Sequence, residues 1–386
     1  MGSGMAQGRI DDDGLARLRA RIGVELRIWR YNEVAARDAI RHFCDGIGDE
    51  NPLFRDAGYA AGTRWGSIIA PPCFLYSAHY PMGGGGGLPG VHGFHAGNEW
   101  HWHLPVKDGD AITASEHLTD VVEKRSQMAG RTVITYAEAT YRNQRDEVVA
   151  TALGWSVRAE RQALKERGKG RSVTRASYTR EELRVIEEAY DREEVRGASP
   201  RYWEEVNVGD ELIPVVKGPL NMTDMIAFVS GTFGGRLAGR GGAHGIGLRY
   251  RRHHPAWSYA DPETGVVDKP EMVHAAETLA QDIGIPLAYD YGAQRPCWLG
   301  HLLTNWMGDD GFLKRLRVEI RGFNMLGDTT WCRGRVIDKR VQGDEHLVDL
   351  EVWAENQRRQ ITAPGQATVV LPSREKGIWP AQRLLG

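Results

Sequence analysis

The chain has 386 residues and a mass of 43.0 kDa, which exceeds the usual size of one hydrophobic core and therefore predicts two domains. Hydrophobic residues make up 41% of the sequence and charged residues 26%, and the formal net charge is -2. This is an ordinary globular composition. It predicts neither a nucleic-acid partner nor a membrane partner.

The cysteine pattern and the first residues bear on the protein's environment. The four cysteines are far apart and include no CxxC pair, which argues against a zinc site and a disulfide framework and favours a reducing cytoplasm. Residues 1–4 are expected to be an expression remnant, followed by a polar, acidic stretch. No apolar run approaches the roughly 20 residues that span a bilayer.

Residues 48–54 read Gly-Asp-Glu-Asn-Pro-Leu-Phe and form the first candidate site. They follow a predicted amphipathic helix over residues 33–43 that stops at two glycines. Asp49 can take a proton, and Asn51 with the following proline fixes the local backbone. A turn or a helix cap explains the same residues. Residues 68–76 then predict an apolar helix opened by proline, which we expect to be buried.

Beyond residue 98 the sequence takes the alternating pattern of strands. The predicted strands cover residues 98–104, 111–122, 131–142 and 148–157, with tight turns between them, so an antiparallel sheet is expected. Trp100 and Trp102 fall on one face of the first strand, with His101 and His103 on the other. Two histidines with no nearby third ligand are weak evidence for a metal, and no metal site is predicted.

Two further segments have compositions typical of connections. Five glycines at residues 83–87 predict a loop, and no phosphate-binding Lys-Ser or Lys-Thr follows them. Residues 160–177 are rich in Arg, Lys and Glu and predict a solvated linker, with a helix over residues 178–192.

The second half repeats the first at a period of roughly 220 residues, which indicates a duplicated domain. Residues 295–299 (Arg-Pro-Cys-Trp-Leu) correspond to residues 71–75 (Pro-Pro-Cys-Phe-Leu). A Gly-Asp pair at residues 327–328 corresponds to the one at 109–110, and Asn-Gln-Arg occurs at both 143–145 and 356–358.

Each half thus predicts a short helix, a motif, a buried helix and about four antiparallel strands. A curved sheet around one apolar helix satisfies this order, so the fold class is α+β. The predicted first domain covers residues 16–160, the linker 161–200, and the second domain 201–374 with an insertion at 231–268. Residues 1–15 and 375–386 are predicted to be a disordered N-terminus and a tail.

The residues at 48–53, the Ile-Ala-Pro-Pro of residues 69–72, the Gly-Asp turns and the Asn-Gln hairpins together resemble the MaoC-like dehydratase and (R)-specific enoyl-CoA hydratase family in its double hot-dog form. A FAS1-like dehydratase domain is implied for the first half. The resemblance implies a tandem hot-dog fold and hydration of an enoyl thioester, or the reverse dehydration. It also implies an acyl-CoA or acyl-carrier-protein substrate and no cofactor beyond the coenzyme A of the substrate.

The family pattern is Gly-Asp-x-Asn-Pro-x-His, in which Asp and His hold a water and exchange a proton at the carbon next to the thioester. The chain departs from it in both halves. Phe54 stands at the histidine position of the first half. The second half keeps His274, but Lys269 stands at the aspartate spacing. His274 is therefore the first catalytic candidate from the resemblance.

The partner of His274 is open among three carboxylates. Asp268, one position from the family spacing, and Asp261 belong to the same half and come ahead of Asp49, which could instead bind substrate. The further substrate-binding candidates are Asn51, Asp261, Tyr289, Tyr291, Gln294, Arg295 and Arg249. Arg249 belongs to an arginine-rich insertion that could meet the phosphates of coenzyme A. Packing, capping or a solvated loop explains the same residues, and His301 is expected to be a core histidine.

The incomplete motifs leave two alternatives to a hydratase. One is a non-catalytic acyl-CoA-binding module that kept the fold and lost the chemistry. The other is a thioesterase or a tailoring cyclase, because one fold hosts several activities. A homodimer is a reasonable expectation for paired sheets with exposed edges.

Overall fold

A computed structural model describes residues 8–28, 30–83, 87–126, 129–168, 173–233 and 242–377. The expected N-terminal remnant, part of the glycine loop, part of the insertion and most of the tail lie outside the described residues.

The helices of the first half and the linker are α1 (Asp12–Arg19), α2 (Arg37–Ile47), α3 (Pro52–Arg55), α4 (Ala57–Ala61), α5 (Leu75–Ala78), α6 (Arg161–Gly168) and α7 (Arg180–Asp191). Those of the second half are α8 (Met222–Phe233), α9 (His244–His253), α10 (Glu277–Asp282) and α11 (Gln294–Met307).

The strands form one large antiparallel sheet and a small ribbon. The first-half strands are β1 (His92–Trp102), β2 (Thr113–Ser126), β3 (Gly130–Arg142) and β4 (Val148–Ala159). The second-half strands are β5 (Val215–Lys217), β8 (Phe312–Glu319), β9 (Thr330–Gln342), β10 (Glu345–Asn356) and β11 (Ile361–Val370), while β6 (Tyr259–Ala260) pairs with β7 (Val267–Asp268). The order of the large sheet is β2-β3-β4-β1-β8-β11-β10-β9-β5, so β1 and β8 join the two halves. This arrangement confirms the double hot-dog prediction.

The Gly-Asp and Asn-Gln motifs make the same contact in both halves. The side-chain amide of Gln144 donates to Asp110 at 2.9 Å, and that of Gln357 donates to Asp328 at 2.7 Å. In each case a hairpin between two strands is tied to the turn that leads into an earlier strand. The structural repeat therefore follows the sequence repeat.

The helix α11 is the central helix of the second half. All 14 of its residues are buried, because the curved sheet surrounds it and further core residues cover its ends. Its first turn carries Gln294 and Arg295, whose polar groups bond within the core. It is the buried helix that the correspondence of residues 295–299 with residues 71–75 predicted for the second half.

The first half has a much shorter central helix than the apolar run predicted. Residues 68–76 were expected to be one helix, but only a 3₁₀ turn at Pro72–Phe74 and the four residues of α5 are helical. Ile69 pairs with Lys107 in extended backbone, and the Ala70 N–H bonds to the carbonyl of Val106. The helix is therefore shortened at its start, while Pro81 disfavours the helical conformation at Tyr80 and so limits how far α5 can extend beyond Ala78.

The helix predicted at residues 33–43 begins later, at Arg37. Val34 forms a bridge with Ala111, and the Ala35 N–H bonds to the carbonyl of Asp110, so the backbone before α2 is extended. Val34 is correspondingly exposed, while Ile40 and Phe43 are buried as predicted. The tertiary contact with the turn before β2 decides this helix start.

The charged linker is partly packed rather than fully solvated. Leu164 in α6 is buried, and Arg161 and Lys165 both pair with Asp282 of the second half. The second linker helix, α7, begins with a capping box between Thr179 and Glu182, which ends the irregular stretch before it. The linker thereby connects the two halves through side chains as well as through the chain itself.

Candidate active site

A cavity of about 510 Å³ lies where the two halves meet. The second half contributes a wall that includes Glu271, His274, Tyr289, Tyr291, Gly292 and Arg295. The first half contributes an opposite set that includes Tyr31, His79, Tyr80, His95, Glu116 and Arg158. The volume falls within the usual range of small-molecule sites, so this cavity is the candidate active site.

His274 closes the 3₁₀ helix Pro270–His274 and lies against two tyrosines. Its Nδ1 is 2.9 Å from the carbonyl oxygen of Tyr289, so Nδ1 carries the proton and Nε2 keeps a lone pair. The ring lies 4.0 Å from that of Tyr291, centroid to centroid. Burial among these rings lowers the pKa of His274 to about 4, against the hydrogen bond to Tyr289. The imidazole is therefore neutral at pH 7 and can accept a proton.

Glu271 is the carboxylate that the structure brings to the same cavity from the same turn. Because a 3₁₀ helix has three residues per turn, positions 271 and 274 lie on one side of it. The carboxylate also contributes to raising the pKa of Tyr291, after the larger effect of burial, so its charge reaches the ring that packs on His274. A neutral imidazole and a carboxyl group are thus present together in this cavity.

The residue two positions before α11 borders this cavity. Gly292 lines the cavity, and in the described part of the chain its N–H has no protein partner. A Cβ at this position would lie 2.6 Å from Nδ1 of His95, so only glycine lets β1 approach so closely. A backbone N–H at a helix N-terminus can stabilise negative charge on a ligand oxygen.

Two first-half residues, Tyr80 and His95, lie beside this end of α11. The Tyr80 hydroxyl donates to Nδ1 of His95 at 2.7 Å, and Nε2 of His95 donates to the Gly97 carbonyl. A β-bulge between His95 and Gly97 shifts the register of β1 at this point. Burial lowers the pKa of His95 to about 4, so its ring is a neutral acceptor.

A fully buried ion pair forms part of the cavity wall. Arg295 donates through Nε and Nη2 to the two oxygens of Asp290, at 2.7 and 2.9 Å. Arg295 also donates to the carbonyl of Thr362, and the N–H of Asn324 donates to Asp290. With its bonds saturated by protein groups, Arg295 is a structural part of the wall.

Several predicted binding residues occupy other positions. Gln294 accepts the Tyr291 N–H at 2.8 Å and lies behind the wall, and Tyr289 and Tyr291 line the cavity. Asp261 accepts the N–H groups of its own turn, Asp268 accepts the N–H of Lys269, and Arg249 is exposed. Neither aspartate lines the cavity, and Arg249 does not either.

Asp49 lies in a separate buried cluster between the halves. One of its oxygens accepts the Asn51 N–H at 3.0 Å, and the same oxygen is 3.7 Å from Nε2 of His301. Nζ of Lys217 donates to the Gly48 carbonyl at 3.1 Å and lies 2.9 Å from Nδ1 of His301. Burial raises the pKa of Asp49 to about 6 and lowers the pKa of both Lys217 and His301.

The first-half motif borders only a small cavity, of about 40 Å³. Phe54 fills the position of the family histidine there, with Trp65 and Trp102 beside it. Asn51 caps α3 by accepting the Leu53 N–H at 3.0 Å, which is the turn role considered for it. The cavity beside the first-half motif is therefore too small for an acyl group.

Sequence reasoning did not select Glu271, Tyr80, His95, His79 or Glu116 as site residues. Glu271 had one usable signal, since it stands at the asparagine position of the second-half motif. The four first-half residues carry no motif, because the fold brings them to the cavity from a loop and two strands.

The described residues show neither a metal site nor a membrane-spanning helix. They contain no group of three or more His, Cys, Asp or Glu side chains placed to hold a metal ion. Among the helices of the same residues, none has the length and apolar character needed to cross a membrane.

Trp100 and Trp102 stack with centroids 5.7 Å apart while His101 and His103 are exposed, as the strand alternation predicted.

Comparisons of sequence give matches to part of the chain. Residues 20–152 match the family described as "FAS1-like, dehydratase domain region". A UPF0336 protein from Parafrankia sp. (strain EAN1pec) is 33% identical over 116 residues, which are 27% of this chain and 71% of that protein. A protein from Thermomonospora curvata named "Probable enoyl-CoA hydratase alpha subunit" is 28% identical over 132 residues, 29% of this chain and 41% of that protein.

Comparisons of structure cover both halves. A solved structure titled "MaoC-like dehydratase" matches with a TM-score of 0.61 and 15% identity, over 91% of this chain and 99% of that one. A conserved hypothetical protein from Mycobacterium tuberculosis with a double hotdog fold matches with a TM-score of 0.50 and 10% identity, over 90% and 93% of the two chains. At these identities the structural likeness concerns the fold.

Proposed function

Because the chain belongs to the MaoC-like dehydratase family, whose fold and dehydratase region it shares, we propose that it is an enoyl-thioester hydratase or 3-hydroxyacyl-thioester dehydratase with one working site. The observation that carries this proposal is the position of His274. His274 lines the large cavity, and so does Gly292, whose N–H has no protein partner among the described residues.

The chemistry follows from these two groups. In hydration, Nε2 of His274 takes a proton from water as the water oxygen bonds to the carbon β to the thioester. Negative charge develops on the thioester oxygen, where the Gly292 N–H and the N-terminus of α11 stabilise it. The proton is then delivered to the α carbon, and dehydration runs the same steps in reverse.

Glu271 is the proposed second acid/base group, in place of Asp268 and Asp261. It lies on the same side of the same 3₁₀ turn as His274 and lines the same cavity. The two aspartates are engaged in backbone hydrogen bonds away from that cavity. Glu271 would hold the attacking water or return its proton to the α carbon.

An acyl-CoA thioester is the proposed substrate form. Arg27 is exposed and still lines the cavity, so it lies at the rim, where Tyr250 and His254 of the insertion also stand. Guanidinium groups bind phosphate oxygens well, which suits the phosphates of coenzyme A at this rim. An acyl-carrier-protein thioester would present a phosphate to the same place.

The test is hydration of a panel of enoyl-CoA thioesters, straight-chain and ring-bearing, by the wild type, His274→Ala and the surface control His101→Ala. We expect wild-type turnover that falls by about 100-fold or more in His274→Ala, because a general acid/base contributes 10²- to 10⁴-fold. His101→Ala should match the wild type.

Two outcomes would reject the hydratase proposal or its site. Turnover that persists in His274→Ala would show that the reaction does not depend on His274 and takes place outside this cavity. Acyl-CoA binding without hydration of any panel member favours the non-catalytic binding module, and release of free coenzyme A favours a thioesterase.

A further inference from the structure

The first-half end of the cavity carries polar groups that the proposed chemistry does not use. His79 and Glu116 line the cavity and are 3% and 5% exposed. Nε2 of His79 is 3.1 Å from Oε2 of Glu116. We propose that this pair forms a subsite for a hydroxyl group at the far end of the acyl chain, an inference that rests on the proposed thioester function and deepens it.

The pair has hydrogen-bonding capacity left over. Nε2 of His79 lies within hydrogen-bonding distance of Glu116, and within the described residues Nδ1 is buried without a partner. Among the described residues, Oε1 of Glu116 receives only the Gly83 N–H, at 3.4 Å. One ring nitrogen and one carboxylate oxygen are therefore left to hydrogen-bond with a ligand hydroxyl, which can both donate and accept.

The pair is held in place by the first-half core. The Tyr141 hydroxyl donates to the His79 carbonyl at 2.9 Å, and Glu116 belongs to β2, whose backbone is paired with β3 along its length. His79 directly follows α5, so its backbone is fixed by the short central helix. A polar subsite on rigid elements can distinguish ligands by a single hydrogen bond.

A cavity wall built for hydrocarbon alone would not carry these groups. Burying a carboxylate or an imidazole without full hydrogen bonding costs free energy, and apolar side chains of similar size would avoid that cost. The same cavity is lined at this end by Tyr31, Leu26 and Met82, which suit the carbon atoms of an acyl chain. Polar groups within such a wall point to a polar group on the ligand.

The subsite lies at a distance from the reacting atoms. The ring of Tyr291 packs on His274 at 4.0 Å, that of Phe233 lies 5.8 Å from Tyr291, and that of Tyr80 lies 5.8 Å from Phe233. His79 precedes Tyr80. In the sheet, Glu116 on β2 lies three strands from β1, whose His95 is beside Gly292, or roughly 14 Å at about 4.8 Å per strand, so the recognised hydroxyl belongs on a long chain or on a ring system.

Calorimetric titration with saturated acyl-CoA thioesters tests the subsite without any need for turnover. The probes are plain chains of several lengths and their ω-hydroxy analogues. We expect the wild type to bind the hydroxylated probe about tenfold more tightly at the length that reaches the subsite, consistent with one hydrogen bond to a buried polar group. Shorter pairs should bind equally.

Two variants localise the preference. In Glu116→Gln and in His79→Gln the tenfold preference should fall below about twofold, while affinity for the plain chain stays within about threefold of wild type. Glu138→Gln, on the exposed face of the neighbouring strand β3, is the matched control and should keep the preference. Near-ultraviolet circular dichroism checks that each variant is folded.

The outcomes separate this inference from the hydratase proposal. Equal wild-type affinities for every plain and hydroxylated pair would overturn the subsite, even if hydration is observed and neither variant folds. A preference that persists in both folded variants would overturn it as well. A preference lost in the variants, together with no hydration of any probe, would support the subsite and count against the hydratase.

Discussion

The two halves of the chain use the same fold but differ in what they do with the motif position. In the second half His274 borders a cavity of about 510 Å³, whereas in the first half Phe54 and two tryptophans leave about 40 Å³. The central helix differs too, with 14 buried residues in α11 and only four in α5. A duplicated fold can thus retain one site and fill the other with core side chains.

The family motif residues that are kept in the two halves lie in different places and have different roles. Asp49 is kept but lies in a buried cluster with Lys217 and His301 of the second half. His274 is kept and lies in the open cavity with Glu271. The acidic member of the first motif contributes to the contact between halves, and the basic member of the second belongs to the candidate active site.

The largest expected effect concerns Asp49 and stability. Its pKa is about 6 in the folded protein, against an ordinary 3.8, so the folded protein keeps a proton that the unfolded chain releases between these values. The free energy of unfolding should therefore fall by about 3 kcal/mol from this residue as pH rises from about 4 through 6. In Asp49→Asn this decline should be absent.

Denaturant unfolding of the wild type, Asp49→Asn and the exposed control Asp146→Asn at several pH values between 4 and 7 measures this difference. The control should follow the wild type. If the free energy of unfolding changed with pH in the same way for all three proteins, Asp49 would have the same pKa in the folded and unfolded states. That result would contradict the assignment of Asp49 as a buried, desolvated carboxyl.

The next effect concerns the choice of carboxylate beside His274. Glu271→Gln should lower kcat for hydration by about 10- to 100-fold, because it removes a proton-transfer group while keeping its size. Asp268→Asn should stay within about threefold of wild type, since Asp268 does not line the cavity. Steady-state kinetics on one substrate decides the point, and the reverse ranking would restore Asp268 as the partner.

A smaller effect is expected in the pH dependence of the wild type. Burial holds the pKa of His274 at about 4, so the base is already neutral at pH 6 and kcat/KM for hydration should change little between pH 6 and 8. It should fall as the pH drops through about 4, where the ring becomes protonated. A profile with its acid limb near the ordinary histidine pKa of about 6.5 would contradict a desolvated base.

The smallest effect is predicted for a repair of the first-half motif. Phe54→His recreates the family spacing with Asp49, but the cavity there is too small for an acyl group. The variant should hydrate substrate at the wild-type rate, and adding Phe54→His to His274→Ala should restore nothing. Recovery of turnover in that double variant would show that the first half still admits substrate.

Much of the fold was predictable because the signals for it are local or periodic. The strand alternation at Trp100 and Trp102, the apolar run of α11 and the repeated Gly-Asp and Asn-Gln turns follow from backbone geometry and burial. Two boundaries were missed for tertiary reasons. Val34 pairs with Ala111 across the fold, and the residues before Pro72 follow the turn at residues 105–107 instead of extending a helix.

The sequence by itself determined the double hot-dog architecture, the absence of a second-half aspartate at the family spacing and the candidacy of His274. Only the tertiary structure decided which groups share the cavity with it. Glu271 lies on the same side as His274 because a 3₁₀ helix has three residues per turn. Gly292 lines the cavity because the end of α11 packs against β1. His79 and Glu116 come from distant parts of the first half, because curvature of the sheet, which no local pattern encodes, brings them together.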